Sequence, residues 1–127
     1  MTSRDRVVEY YRKQLGSVPE WIDLLSNYMP EALEGLVQFR EGFMNPLQPA
    51  LSRKEKHLIF MVLDAAIGNG TGGSIHAKLA IDQGASAKEV AEALTVTMMV
   101  CGVPTFELAG KEILKAAMAR EKESKSK

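Results

Sequence analysis

Residues 64–84 read DAAIGNGTGGSIHAKLAIDQG. An apolar helix end runs into four glycines within six residues, and a second helical pattern opens close to a histidine. At about 100° per residue, with Ile75 at 0°, Leu79 falls at about 40°, Gln83 at about 80°, His76 at about 100° and Ala80 at about 140°. Ala77 and Ile81 follow at about 200° and 240°, and only Lys78 and Asp82, at about 300–340°, mark a charged edge. His76 therefore sits near the middle of a mostly apolar arc. Two readings stand at this point: a core histidine hydrogen-bonded to a neighbour, or a histidine that faces a pocket.

Upstream, Ser52-Arg53-Lys54-Glu55 is a capping box, in which the Ser and Glu side chains each satisfy a free backbone N–H. The helix it starts, to about Gly68, is apolar almost all round, which marks a central helix or one covered by a partner subunit. His57, Met61, Asp64 and Gly68 share one stripe of it. Asp64 is either a paired core carboxylate or a pocket residue, since an unpaired buried charge is very costly. Downstream, Ser86-Ala87-Lys88-Glu89 is a second capping box. Its helix ends at Cys101-Gly102, and Gly102-Val103-Pro104 breaks and restarts the chain. The second half of that helix, Val96 and Met98 to Cys101, is expected to be buried, with Cys101 a buried thiol rather than a nucleophile. The last helix carries Phe106, Ala109, Ile113, Leu114 and Ala117 on one face.

The N-terminal half is helical as well. Ser3 can cap a first helix to about Gln14, with Gly16 just past its end. Pro19 suits the first turn of a second, and Pro30 that of a third, with Leu33, Leu36, Val37 and Phe43 inward. Asn45-Pro46-Leu47-Gln48-Pro49 is a stiff connector rather than a domain boundary. With no alternating run to suggest a strand, the fold expected is all-α: one domain of about six helices over 1–119, then a frayed charged tail over 120–127.

Composition narrows the function. Sixteen acidic and 16 basic residues cancel, which argues against a general nucleic-acid binder. The single cysteine allows neither an intrachain disulfide nor a cysteine-only metal site, and fits a reducing, cytoplasmic setting. The longest apolar run, Leu58–Leu63, is cut by Asp64, so no membrane span is expected. The turn GNGTGG lacks the lysine of a phosphate loop and follows no strand. His57 and His76 are nineteen residues apart, not in a metal-ligand spacing, so no metal is expected. Two helices apolar all round exceed what a subunit this small covers by itself, which points to a homo-oligomer.

The run from Ser52 to Phe106, with its two helices, glycine-rich turn, IHAKLAIDQGASAKEVAEAL and CGVPTF, resembles the carboxymuconolactone decarboxylase family within the alkylhydroperoxidase D-like group. The positions that carry the likeness are His76, the Gly84 turn, the Ser86–Glu89 helix start and Gly102-Val103-Pro104. The resemblance implies an all-α subunit that assembles as a trimer or hexamer, with sites close to subunit contacts. Peroxidase members carry a Cys-x-x-Cys pair whose second cysteine lies four residues before the histidine. Those slots are Asn69 and Gly72 here, so dithiol peroxidase chemistry is disfavoured. The decarboxylase branch keeps the histidine without the cysteines and is the nearer relative. This chain departs even from that branch: glycines stand at 72 and 73 where an acidic residue is common, and Val100 where an aromatic one is.

Decarboxylating a carboxylated lactone needs no metal and no bound cofactor. It needs a group that protonates carbon, a role open to His76. It also needs a site for carboxylates, a role open to the N–H groups of Gly72, Gly73 and Ser74 at a helix start, with Asp64 nearby. The same glycines also read as a tight connector between packed helices. Two functions follow: a cofactor-independent decarboxylase or related enzyme acting on a small carboxylated lactone or acid, or a non-catalytic oligomeric protein that binds such a molecule.

Overall fold

The computed structural model describes residues 1–126. These residues form α1 (Ser3–Leu15), α2 (Glu20–Leu25), α3 (Pro30–Met44), α4 (Arg53–Ala66), α5 (Gly70–Asp82), α6 (Ala87–Cys101) and α7 (Lys111–Lys125). A π-helical turn, Phe106–Gly110, leads straight into α7. No strand occurs among the described residues, as the all-α reading expects. The chain divides into two compact units, Met1–Ala50 and Leu51–Lys127.

In the first unit Thr2, not Ser3, caps α1. Its hydroxyl accepts from the Asp5 N–H at 3.1 Å, and the Asp5 carboxylate accepts from the Thr2 N–H at 3.1 Å. Pro30 opens α3, where its missing N–H costs nothing. Val7, Tyr11, Ile22 and Leu33 form the core. Leu36 and Phe43, expected inward, are exposed. The inward stripe runs instead at helical spacing through Leu33, Val37, Arg40 and Met44. Arg40 is admitted because its guanidinium donates to Tyr10 Oη at 3.2 Å and to Gln14 Oε1 at 3.1 Å.

The second unit begins with the capping box at Ser52. The hydroxyl accepts from the Glu55 N–H at 3.1 Å and the Glu55 carboxylate from the Ser52 N–H at 2.9 Å. Ser86 accepts from the Glu89 N–H at 3.0 Å, while Glu89 pairs with Lys54 at 3.1 Å and so ties α6 to α4. The end of α4 turns at Gly68, whose φ of 80° is a left-handed conformation that suits glycine. There the Gly68 N–H reaches Ala65 O at 3.1 Å and the Asn69 N–H reaches Asp64 O at 2.8 Å, the two bonds of a Schellman motif. The link of three residues, 67–69, folds α4 and α5 into a helical hairpin.

α5 and α7 approach so closely that a Cβ on Gly73 would strike the Ile113 side chain. The core of this unit is rich in alanine: Ala65, Ala77, Ala80, Ala85, Ala109 and Ala117 join Met61, Ile81, Val90, Leu94 and Ile113. The face expected on the last helix is the observed one, with Phe106 and Leu114 packed beside Ala109, Ile113 and Ala117. The frayed tail is corrected. Residues 120–125 are helical because their charges find partners on the other helices: Arg120 with Asp82 at 2.7 Å, and Glu121 with the Ala87 N–H at 2.8 Å. Lys127 lies outside the described residues.

A second correction concerns α6. Val96, Met99 (88% exposed), Val100 (84% exposed) and Cys101 stand open rather than buried. α4 and α7 cover only one side of this helix, so an all-round apolar sequence leaves the other side bare. Leu63 of α4 and Ile67, just past its end, are exposed in the same way. Among the described residues no helix is long and apolar enough to cross a membrane.

Candidate active site

The hairpin of α4 and α5 brings together two histidines that lie nineteen residues apart in sequence. His57 Nδ1 and His76 Nδ1 are 3.0 Å apart, and both side chains are buried. The ring centroids are 5.3 Å apart. That distance equals the 3.0 Å contact plus the two ring radii, so the rings meet edge to edge along their line of centres. Each Nδ1 is aimed at the other. A hydrogen bond at this separation requires that one Nδ1 carry a hydrogen and the other offer its lone pair, since two hydrogens would collide and two lone pairs would repel. The same geometry does not suit a chelate, in which both lone pairs converge on a third atom.

Phe60, one turn after His57 on α4, completes the cluster. Its ring lies flat against His76, with centroids 4.0 Å apart and planes 5° from parallel. The His76 imidazole is thus fixed on a face by Phe60 and at an edge by His57. The sequence placed His76 correctly on an apolar arc, but it did not pair it with His57. The signal was present. Folded about Gly68, positions 57 and 76 lie about 16 Å and about 12 Å along their helices, within one turn of each other.

Asp64 and the glycine turn form a separate group of contacts. Asp64 is half-buried, and burial pushes its carboxyl above the usual 3.8, while a hydrogen bond from Asn69 Nδ2 at 3.3 Å opposes the shift. Asn69 caps α5: its Oδ1 accepts from the Gly72 N–H at 3.0 Å, and its backbone oxygen accepts from the Gly73 N–H at 3.0 Å. Ser74 Oγ donates to Gly70 O at 2.7 Å. All three N–H groups read as an anion cradle are thus held by the chain itself, Ser74 by the helical ladder to Gly70 O. A carboxylate oxygen of Asp64 also lies 3.0 Å from where a Gly72 Cβ would sit, so an incoming carboxylate would meet like charge. Gly73 is buried against Ile113. Gly70 and Gly73 thus sit where α5 packs closely against residues of α7. Among the described residues no three His, Cys, Asp or Glu side chains are grouped to hold a metal ion.

The family model for the carboxymuconolactone decarboxylase family matches residues 30–116, a wider span than the motifs by themselves suggest. A solved structure from Burkholderia xenovorans LB400, a protein named provisionally as a carboxymuconolactone decarboxylase, is similar over 98% of each chain, with a TM-score of 0.89 and 28% sequence identity. Among curated protein sequences none matches. With two-thirds of its length matched by the family model, the chain belongs to the carboxymuconolactone decarboxylase family.

Proposed function

We propose that this protein decarboxylates a small carboxylated lactone or a related acid, without a bound cofactor, with His76 as the acid/base group. One observation carries the reading: His76 is buried, its ring lies flat on Phe60, and its Nδ1 is committed to His57, so proton exchange runs through Nε2. The reaction breaks one C–C bond. Carbon dioxide leaves, the electron pair remains as an enolate spread onto the lactone carbonyl, and an imidazolium gives its proton to the carbon. Imidazole changes charge near neutral pH, which suits it to this step. Family membership and the name given to the similar Burkholderia protein support the same chemistry. The start of α5 is not the carboxylate site in this reading, because Asn69 and Asp64 occupy it.

The subunit is proposed to assemble with copies of itself, as a trimer or hexamer. The support is the apolar side chains a single chain leaves open: Leu63 on α4, Ile67 just past it, and Val96, Met99 and Val100 on α6. The lone thiol suits a reducing, cytoplasmic setting.

The test is His76→Ala. Turnover of a carboxylated lactone should fall roughly 10²–10⁴-fold, the usual yield of one proton-transfer group. Oligomer size and affinity for a dicarboxylate should hold, while the melting temperature falls only by what the lost contact with His57 and the lost stack on Phe60 cost. If oligomer size and affinity fall with it, His76 is a structural residue and the reading fails.

A further inference from the structure

The pairing of two buried imidazoles has a chemical consequence that neither ring has by itself. A neutral imidazole carries one N–H, on Nδ1 or on Nε2. When a single hydrogen lies between two facing Nδ1 atoms, the ring that owns it has a bare Nε2, and the ring that accepts it must carry its own hydrogen on Nε2. We propose that His57 is a positioning residue for His76, and that the two rings share one hydrogen between their Nδ1 atoms and are locked in opposite tautomers.

The geometry supports this beyond the distance. The nitrogens face each other along the line of ring centres, which is the straightest possible N–H···N arrangement. Phe60 holds the His76 ring in plane, 5° from parallel, so this ring cannot turn away without losing the stack. The rings sit on helices, on two arms of one hairpin, rather than on loops. Burial makes an unshared Nδ1 costly on either ring. The pair consequently presents one distal nitrogen as a donor and the other as an acceptor, two complementary functions from two identical side chains. The roles exchange only when, as the hydrogen passes from one Nδ1 to the other, a proton enters at the bare Nε2 and another leaves from the protonated Nε2, so that the neutral pair can accept a proton at one distal nitrogen and release one at the other.

The catalytic side of this inference rests on His76 being the acid/base group, but its tautomer side does not, so the two can fail separately. The chain contains only two histidines. Untagged protein labelled with 15N at histidine therefore shows two ring systems, measured at a pH above the histidine range. The expected spectrum has one ring protonated at Nδ1, one protonated at Nε2, and a 15N–15N coupling across the hydrogen bond. Two rings both protonated at Nε2, as free histidine prefers, would overturn the proposal whatever the protein's activity. The second arm is His57→Gln, which keeps a hydrogen-bonding side chain without an imidazole. In this variant His76 should revert to the tautomer mixture of free histidine, and kcat should fall at least tenfold with KM little changed. An unaltered His76 spectrum, or an unaltered kcat in an enzyme that turns over, would overturn the positioning role. Absence of turnover in the wild type with opposite tautomers intact would instead reject only the decarboxylase reading.

Discussion

At the scale of the residue, His76 shows how far a helical wheel reaches. The apolar arc predicted burial, and burial is observed, because a side chain's direction on a helix follows from its position alone. The partner does not show on the wheel, because a ring-to-ring contact depends on where the chain folds back, and it becomes legible only once the chain is folded about the Schellman turn at Gly68. Asp64 carries a prediction of its own. Its carboxyl, raised above 3.8 by burial, binds its proton more tightly in the folded chain than in the unfolded one. The ionised form therefore costs stability above the raised value, and the cost disappears as pH falls through that value toward 3.8. Asp64→Asn keeps an oxygen to accept from Asn69 and removes the charge. Thermal melts should show the variant more stable than wild type at neutral pH, with the difference shrinking in acid. A variant less stable at neutral pH, with no trend in acid, would show that ionised Asp64 is welcome where it sits.

At the scale of the element, helix starts were the most legible feature. Ser52 and Ser86 each accept from the N–H three residues on, because the cap is a local bond whose partners are fixed in sequence. The π-helical turn at Phe106–Gly110 was not legible, since Phe106, Ala109 and Ile113 also fit an ordinary helix and the extra residue is absorbed by packing. The end of α7 was misread for the opposite reason: REKESKSK looks solvated, but Arg120 and Glu121 are held by α5 and α6. The glycines of 70–73 had two readings, and the structure shows close helix packing at Gly70 and Gly73. Gly73→Ala should therefore destabilise the protein by about 1–3 kcal/mol, the usual cost of overpacking, because Ile113 is buried and has nowhere to move. Denaturant unfolding measures this. An unchanged midpoint would mean that the crossing of α5 and α7 is looser than the structure shows.

At the scale of the whole molecule, the all-α class followed from patterning, but the fate of the apolar surface did not. A wheel counts apolar positions without knowing how many neighbours a chain of this length supplies. α6 keeps Met99 and Val100 almost fully open, and Ile67, just past the end of α4, is exposed as well. Light scattering at micromolar concentration should accordingly give a mass several times that of one chain, and a monomer would remove the argument for assembly. Function is tested most directly by release of carbon dioxide from a carboxylated lactone, followed with untagged wild-type protein and no added cofactor. Turnover over many equivalents of protein, lost in His76→Ala, is the predicted result. A wild-type protein that binds a dicarboxylate and releases no carbon dioxide above buffer would contradict it.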